Sequence, residues 1–211
     1  MMHLFYSHKG GSGTTVTAAA TALALARASG RAVLIDLCGD APAALGMAEP
    51  SGPGINEWLD QDSTADGESL LLLGSPADNG LVVIHQGCDH VNGNPRWSDL
   101  TDVLLSLPMP VVIDAGTRPL PPEMYERSQR SLLVTRPCYM SLRRAINGQR
   151  PDGIVLIEEP GRALTSKDIA SVLSLPVVAN IPFESAISRA VDAGLLASRL
   201  PQLLQRHLPL D

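Results

Sequence analysis

The sequence predicts an α/β fold, a doubly wound and mostly parallel sheet with helices on both faces. Three observations predict it. Short apolar runs alternate with helical runs, several of the apolar runs end in a carboxylate, and a glycine-rich stretch joins the first strand to the first helix. The chain has 211 residues, which is enough for a single domain over residues 1–211 with a sizeable core.

The glycine-rich stretch is the strongest local signal. The apolar run at residues 2–6 precedes it, an alanine-rich run at 16–28 follows it, and it reads Ser7-His8-Lys9-Gly10-Gly11-Ser12-Gly13-Thr14-Thr15. Glycines let backbone N–H groups approach an anion, and a helix N-terminus adds partial positive charge. Thr14 and Thr15 stand where a helix cap or a Mg²⁺-binding hydroxyl would stand. The stretch therefore predicts a phosphate cradle, with a ligand-free glycine turn as the alternative.

Two further apolar runs end in an acid. Residues 31–36 end in Asp36, and residues 110–114 end in Asp114, which Ala115 and Gly116 follow. Parallel strands of a doubly wound sheet bring ligand groups together at their carboxyl ends, so both carboxylates are well placed for Mg²⁺ or its water shell. For Asp36, a turn-forming role at the end of a strand is the alternative.

The remaining pattern completes the predicted fold. Apolar runs at 70–73 and 81–85, separated by a turn that contains glycine and proline, predict a hairpin or a pair of edge strands. Residues 96–107 place their apolar side chains on one helical face. Other expected elements are a short helix at 55–59, an exposed polar connection at 60–69, strands at 131–135, 153–157 and 176–182, a helix from Thr165 to 173, and an amphipathic tail at 195–208 that docks on the core or a dimer partner.

Composition narrows the function classes. The formal net charge is −6 and the isoelectric point is about 5.3, so a general electrostatic attraction to nucleic acid or to an anionic membrane is not expected. Aromatic residues make up 3% of the chain, which argues against a base-stacking surface for single strands. No apolar run approaches the roughly 20 residues of a membrane span.

The cysteines and histidines do not form a recognisable metal motif. Cys38, Cys88 and Cys138 are widely separated, and without a signal peptide they indicate reduced thiols in the cytoplasm. One short stretch holds four possible metal ligands, His85, Cys88, Asp89 and His90. We interpret this group as coincidental because a second ligand pair is missing.

Together, these motifs resemble the ParA/MinD family of deviant Walker A ATPases, whose glycine loop reads K-G-G-x-G-K-[ST]-T. Lys9 matches the early signature lysine, and Gly13 and Thr15 match the end of the loop. Asp36 matches the first acid of the family's D-x-D motif, and Asp114 matches its Walker B acid. The segments at 44–47 and 53–55 are similar to the MinD-like, pilus-localisation TadZ/CpaE branch, and the resemblance covers about residues 2–197.

The chain departs from the family pattern at chemically important positions. Thr14 replaces the in-loop lysine, and His8 replaces the first glycine of the ordinary P-loop. Cys38 replaces the second acid of D-x-D, which in the family positions the attacking water. Asp40 lies two residues further on and is a candidate substitute whose position relative to the site the sequence does not show. The resemblance therefore implies a nucleotide site with altered chemistry.

The resemblance implies a P-loop NTPase fold of the SIMIBI type that binds ATP with Mg²⁺. In the family, the signature lysine reaches the partner's phosphates in a nucleotide-sandwich homodimer. Relatives carry an asparagine that reads adenine where this chain has Glu158 and Glu159, and a carboxylate cannot donate a hydrogen bond. The implied roles are cofactor contacts by Lys9, Gly10, Gly11, Ser12, Gly13, Thr14, Thr15, Pro182 and Phe183, Mg²⁺ contacts by Thr15, Asp36 and Asp114, and catalysis by Lys9 and Asp36.

The function that this resemblance implies is the positioning or partitioning of an intracellular cargo by a cytoplasmic homodimer, with weak ATP binding and slow or no hydrolysis. A pseudo-ATPase scaffold that dimerises without nucleotide, for example at a pilus or division site, is the alternative. A biosynthetic or metal-inserting enzyme of the wider family ranks well behind both. The expected partners are a second copy of the chain and a cargo or activator protein. Nucleic-acid contact through Arg143 and Arg144 is not favoured over a solvated helix face.

Overall fold

The computed structural model describes residues 1–61, 66–88, 91 and 95–210. Within that part of the chain, eight strands form one sheet in the order β3-β4-β2-β5-β1-β6-β7-β8. All described pairings are parallel except that of β3 with β4. The strands are β1 (Met2–Tyr6), β2 (Ala32–Asp36), β3 (Ser75–Pro76), β4 (Leu81–Ile84), β5 (Val111–Asp114), β6 (Arg130–Thr135), β7 (Gly153–Glu158) and β8 (Val177–Pro182).

Helices cover both faces of this sheet. Those in the described ranges are α1 (Thr14–Ser29), α2 (Ala41–Ala44), α3 (Ile55–Asp60), α4 (Gly67–Leu72), α5 (Trp97–Ser106), α6 (Pro122–Arg127), α7 (Tyr139–Ile146), α8 (Ser166–Leu173), α9 (Ser185–Asp192) and α10 (Leu196–Leu203). The doubly wound, mostly parallel architecture predicted from the sequence is therefore confirmed.

The three central strands bring the predicted motifs to one edge of the sheet. Every residue of β1, β2 and β5 is buried, as expected for parallel strands covered on both faces. β5 lies between β1 and β2, and Asp36 is directly opposite Asp114 in the β2–β5 register. The loop after β1 and the two acids thus meet at the carboxyl ends of adjacent strands, where doubly wound folds bind their ligands.

Helix α1 packs closely because the side chains on its buried faces are small. Ala18, Ala19, Ala22 and Ala26 are fully buried, and they lie in the same apolar cluster as the sheet residues beneath and α10 beside them. Alanine also has the highest helix propensity, so the run favours a helix before any packing is considered. Gly30 ends the helix in a left-handed conformation with φ of 82°.

The opposite face of the sheet is covered by α3, α5 and α6. Trp58, Leu100, Leu104 and Met124 are buried there in a second apolar cluster. The apolar face predicted at 96–107 is the face that α5 turns toward this cluster, since Leu100 and Leu104 are one turn apart on it.

The structure corrects one predicted element. Residues 70–72 belong to α4 instead of a strand, and the edge pair begins later, where Ser75–Pro76 lies antiparallel to β4. The Asp66 carboxylate accepts a hydrogen bond from Ser69 N at 2.7 Å and so caps α4, which buries Leu70. Of the expected exposed connection at 60–69, residues 62–65 lie outside the described residues.

The C-terminal tail docks on the core. Helix α10 continues past residue 201 to Leu203, and a 3₁₀ turn at Gln205–His207 follows it. Leu200 and Leu204 are buried beside α1, and Arg27 donates a hydrogen bond to Ala197 O at 2.6 Å. Core docking, one of the two expected arrangements of the tail, is therefore what the structure shows.

Removing one buried side chain of α10 should destabilise the protein markedly. Leu200→Ala leaves a cavity in the core, so the free energy of unfolding should fall by about 2–5 kcal/mol. Leu195→Ala is the matched control, since that side chain is 45% exposed and its loss should cost only about 0.5 kcal/mol. Urea unfolding of the three proteins measures both values. Equal stability of the two variants would contradict docking of the tail.

Candidate functional site

The loop between β1 and α1 wraps around a cavity of about 650 Å³. Gly11 and Gly13 have φ of 72° and 91°, left-handed values that favour glycine and turn the backbone toward the cavity. Hydrogen bonds within the loop stabilise this shape: Ser12 Oγ donates to Lys9 O at 2.6 Å, and Thr17 Oγ1 donates to Gly13 O at 2.9 Å. The loop residues that line the cavity are Ser7, Gly10, Gly11, Ser12, Gly13, Thr14 and Thr15.

The two loop positions at which the family pattern has a lysine, Lys9 and Thr14 in this chain, have different environments. Thr14 is 5% exposed and lines the cavity at the first turn of α1, where the resemblance would place a lysine. Lys9 is exposed and does not belong to the cavity lining. The cavity therefore meets a hydroxyl at position 14, and the Lys9 side chain is exposed to solvent.

His8 attaches the start of the loop to the distant segment after α7. Its ring packs edge-on against Tyr6, with 5.5 Å between the ring centroids. It also fills the space where a Cβ on Gly148 would lie, 2.2 Å from His8 Cε1. Arg144 Nη1 donates a hydrogen bond to His8 O at 3.0 Å. Three contacts thus position the residue next to Lys9.

The thiol of Cys38 separates the cavity from the two acids. Asp36 and Asp114 are fully buried, whereas Cys38 is partly exposed and lines the cavity. Cys38 Sγ lies 3.2 Å from Asp114 Oδ2 and 3.4 Å from Asp36 Oδ1, and the Thr15 hydroxyl is 3.6 Å from the sulfur. Among the described residues, these two acids and Cys38 are the group whose donor atoms, all within 4.8 Å of one another, could hold a metal ion.

Ionisation at this cluster follows from burial. Burial, together with the nearby Asp114 and Asp36 carboxylates, raises the pKa of the Cys38 thiol, so it remains protonated and donates its hydrogen. Burial also raises the pKa of Asp114 to about 6, and the Asp36 carboxylate adds to this effect. The cluster therefore holds one thiol proton between two carboxylates.

Asp36 stabilises the turn that follows β2. Its Oδ1 accepts from Cys38 N at 3.0 Å and from Gly39 N at 2.8 Å, and its Oδ2 accepts from Ala41 N at 3.0 Å. These contacts correspond to the turn-forming alternative considered for Asp36. They also position Cys38 over the acids and start α2, two residues of which line the cavity.

The donor set fits Mg²⁺ in part. Carboxylate and hydroxyl oxygens, such as those of Asp114 and Thr15, are ligands that Mg²⁺ prefers. The protonated sulfur of Cys38 is not such a ligand. Asp40, considered above as a substitute acid, is exposed and lines the same cavity.

A smaller cavity of about 200 Å³ adjoins the first, and the two share Gly13, Val16, Val191 and Asp192. Pro182 and Phe183, the residues expected to contact the base, line the smaller one. Arg136 also lines it and was not predicted as a site residue, because no local pattern marks it; its guanidinium lies 5.1 Å from the centre of the Phe183 ring.

The basic region around α7 is largely engaged in contacts within the chain. In addition to Arg144, three arginines have local partners: Arg127 pairs with Asp102, Arg136 pairs with Glu159, and Arg150 donates to Ser174 O. Arg143 is exposed. The ion pairs of this region thus belong to Arg127 and Arg136, which lie outside α7, and whether Arg143 contacts nucleic acid stays a prediction.

The second possible metal group falls partly outside the description. Asp89 and His90 lie outside the described residues. His85 Nδ1 accepts from Gly87 N at 3.1 Å, and exposed Cys88 has its Sγ 3.4 Å from Gly52 O.

No helix in the described part of the chain combines the length and the apolar content that crossing a membrane requires.

Comparison with solved structures identifies the fold. A ParA family ATPase from Chlorobium tepidum matches with a TM-score of 0.79 and 23% identity, over 95% of this chain and 92% of that one. The chain has the fold of the ParA and MinD ATPases. MinD from Pyrococcus horikoshii, complexed with Mg-ADP, matches with a TM-score of 0.70 and 20% identity, over 96% and 90% of the two chains. A variant of McdA from Cyanothece in complex with ATP matches with a TM-score of 0.63 and 17% identity, over 95% and 90%.

The other comparisons find no relative. No family model matches the sequence, and no curated protein matches it. The ParA/MinD-like fold inferred from the sequence motifs is thus supported by structural similarity across nearly the whole chain.

The raised pKa of Asp114 should make stability depend on pH. Because that pKa is about 6 in the folded protein and near 3.8 in the unfolded chain, the folded state binds more protons between these values. The free energy of unfolding should therefore fall as pH rises from about 4 to about 6. Asp114→Asn removes the titrating group, and urea unfolding across this range should show a shallower fall.

Asp40→Asn is the control for this experiment. Asp40 is an exposed carboxylate beside the same cavity, so its replacement should leave the fall with pH in place. If the free energy of unfolding of Asp114→Asn depended on pH as that of wild type does, the raised pKa of Asp114 would be contradicted.

Proposed function

We propose that the protein is a ParA/MinD-like positioning protein, a single domain over residues 1–211 that acts as a homodimer and places an intracellular cargo. Its nucleotide site binds ATP and Mg²⁺ weakly, and it hydrolyses ATP slowly or not at all. The observation that carries this proposal is the arrangement around Cys38: a backbone cradle at the cavity, with a protonated thiol between that cavity and both acids.

The cradle supplies the phosphate contacts. Backbone N–H groups from Gly10 to Gly13 and the N-terminus of α1 stabilise phosphate oxygens without a side-chain charge. Thr15 and Asp114 would hold Mg²⁺, which when bound offsets phosphate charge. Lys9 is exposed, as a lysine must be to reach the phosphates of a second subunit. The groups that can bind ATP without an in-loop lysine thus remain in place.

Two side chains explain the weakness of the site. Thr14 offers a neutral hydroxyl where a lysine would form a charge-assisted contact of about 1.5–3 kcal/mol, so affinity is lower by about 10- to 150-fold. A protonated Cys38 cannot accept a proton from water, and the loss of such a group costs about 10²–10⁴-fold in rate. The site retains the shape for binding and lacks the groups for turnover.

A second candidate is a pseudo-ATPase localisation scaffold that dimerises without nucleotide. The hydrogen bond from Cys38 to Asp114 Oδ2 favours it, because that bond engages a carboxylate oxygen that a metal ion would otherwise bind. In this case the thiol hydrogen bond takes the place of a metal contact at Asp114.

Titration with Mg-ATP distinguishes the two candidates. For the weak switch, wild type should bind with measurable affinity and form ATP-dependent dimers, and Lys9→Ala should abolish the dimers. Thr14→Lys should tighten binding by about 10- to 150-fold because it restores the charge at the cavity. Calorimetry measures the affinity, and light scattering measures the dimerisation.

Lys167→Ala is the control, since Lys167 is an exposed residue of α8 outside the cavity lining. It should leave both measurements unchanged. Dimers that form without nucleotide and survive Lys9→Ala would favour the scaffold. Failure of Thr14→Lys to bind any Mg-ATP would overturn the nucleotide site altogether.

Restoring the second acid should restore turnover. Cys38→Asp, made in the Thr14→Lys background, replaces the protonated thiol with a carboxylate that can position water, so the ATPase rate should rise by about 10²–10⁴-fold. Cys88→Asp is the matched control because Cys88 is an exposed thiol outside the cavity lining. A phosphate-release assay measures the rates. Equal rates in the two variants would show that Cys38 does not limit hydrolysis.

A further inference from the structure

We propose that Asp192 recognises the sugar of the bound nucleotide, so that the site selects a ribonucleotide over the corresponding 2′-deoxyribonucleotide. Its carboxylate accepts hydrogen bonds from the ribose hydroxyls. This inference rests on the proposed function, because it requires a nucleotide whose phosphates lie in the cradle. It goes further by naming a residue that determines specificity and the part of the ligand that this residue contacts.

Asp192 lies where the two cavities meet. The phosphate cavity and the smaller cavity beside it share four described residues, Gly13, Val16, Val191 and Asp192, and of these Asp192 alone has a polar side chain. In a nucleotide, the sugar connects the phosphates to the base. A nucleotide with its phosphates in the cradle and its base in the smaller cavity therefore has its ribose at this junction, beside a carboxylate.

The turn after α9 fixes the position of Asp192. Asp192 is the last residue of the helix, and Gly194 N donates to Val191 O at 2.9 Å, which closes the turn that follows it. Gly194 also packs against Gly46, just after α2: a Cβ on Gly46 would lie 2.4 Å from Gly194 O. Because α2 lines the phosphate cavity, this contact attaches the end of α9 to the wall of that cavity.

The charge of Asp192 has no compensation within the described part of the chain. Its carboxylate is in the last turn of α9, where the negative end of the helix dipole disfavours an anion. The side chain is exposed, and among the described residues it has no hydrogen-bond or ion-pair partner. An acid that opposes the dipole of its own helix without such a partner is expected where a ligand uses it.

A carboxylate at this junction suits the hydroxyls of ribose. An ionised carboxylate has two acceptor oxygens and no hydrogen to donate. The 2′ and 3′ hydroxyls of ribose are neighbouring donors, and dinucleotide-binding folds also use an acid to bind the 2′ hydroxyl. Phosphate oxygens are acceptors with negative charge, so the carboxylate repels them and attracts the sugar. A 2′-deoxyribose lacks one of the two donors.

Competition between Mg-ATP and Mg-2′-dATP tests the inference. Both are titrated by calorimetry against wild type, and against Thr14→Lys so that weak binding by wild type does not limit the measurement. The two ligands differ only in the 2′ hydroxyl. Mg-ATP should bind about 10- to 150-fold more tightly, because Mg-2′-dATP loses a hydrogen bond to a charged acceptor.

Asp192→Ala should remove this preference, because it removes the acceptor. The ratio of the two affinities is the readout, since the loss of a negative charge near the phosphates changes the binding of both triphosphates alike. Glu184→Ala is the matched control. Glu184 lines the smaller cavity but not the phosphate cavity, so its carboxylate lies away from the junction and the ratio should persist in this variant.

Three outcomes would overturn the inference. Equal affinities of Thr14→Lys for the two triphosphates would show that the sugar is not recognised and would leave the nucleotide site standing. A preference for Mg-ATP that survives Asp192→Ala would show that another group recognises the sugar. Absence of binding by both triphosphates, even to Thr14→Lys, would overturn the nucleotide site and the inference together.

Discussion

The hydrogen bond from the Cys38 thiol to the Asp114 carboxylate is the interaction on which the character of the site depends. It exists because β2 and β5 are adjacent and in register, so the turn after one strand covers the acid at the end of the other. Gly116 makes room for it, since a Cβ at that position would lie 2.8 Å from Cys38 Cβ. A thiol donor between two buried carboxylates supplies a hydrogen bond to oxygens that burial has removed from water.

The cradle and the acid cluster respond differently to sequence change. The cradle is built from backbone groups and from glycines in left-handed conformations, so its shape does not depend on a lysine side chain at position 14. The acid cluster is built from side chains, and one substitution at Cys38 alters its protonation and its access to the cavity. The backbone of the loop and the side chains of the acid cluster can therefore vary independently within one fold.

Much of the fold could be predicted from the sequence because its signals are local. Buried parallel strands appear as uninterrupted apolar runs, and the glycine-rich loop, Asp36 and Asp114 mark where those strands end. The contacts that decide the character of the site join distant parts of the chain. The position of Cys38 beside Asp114 and that of Arg136 over Phe183 depend on strand order and side-chain packing, which local patterns do not encode. Residues 70–72 were predicted incorrectly because a short run of leucines fits a buried strand and a short helix equally well, and the structure shows a helix that buries only Leu70.

The packing of His8 against Gly148 links two segments that are far apart in sequence. The imidazole occupies the volume that any other residue at 148 would need for its side chain, so the two positions share one space. Among homologous chains, a smaller residue at position 8 should permit a larger one at position 148, and the pair should covary. The shape of the loop before Lys9 is in this sense encoded in two places along the polypeptide.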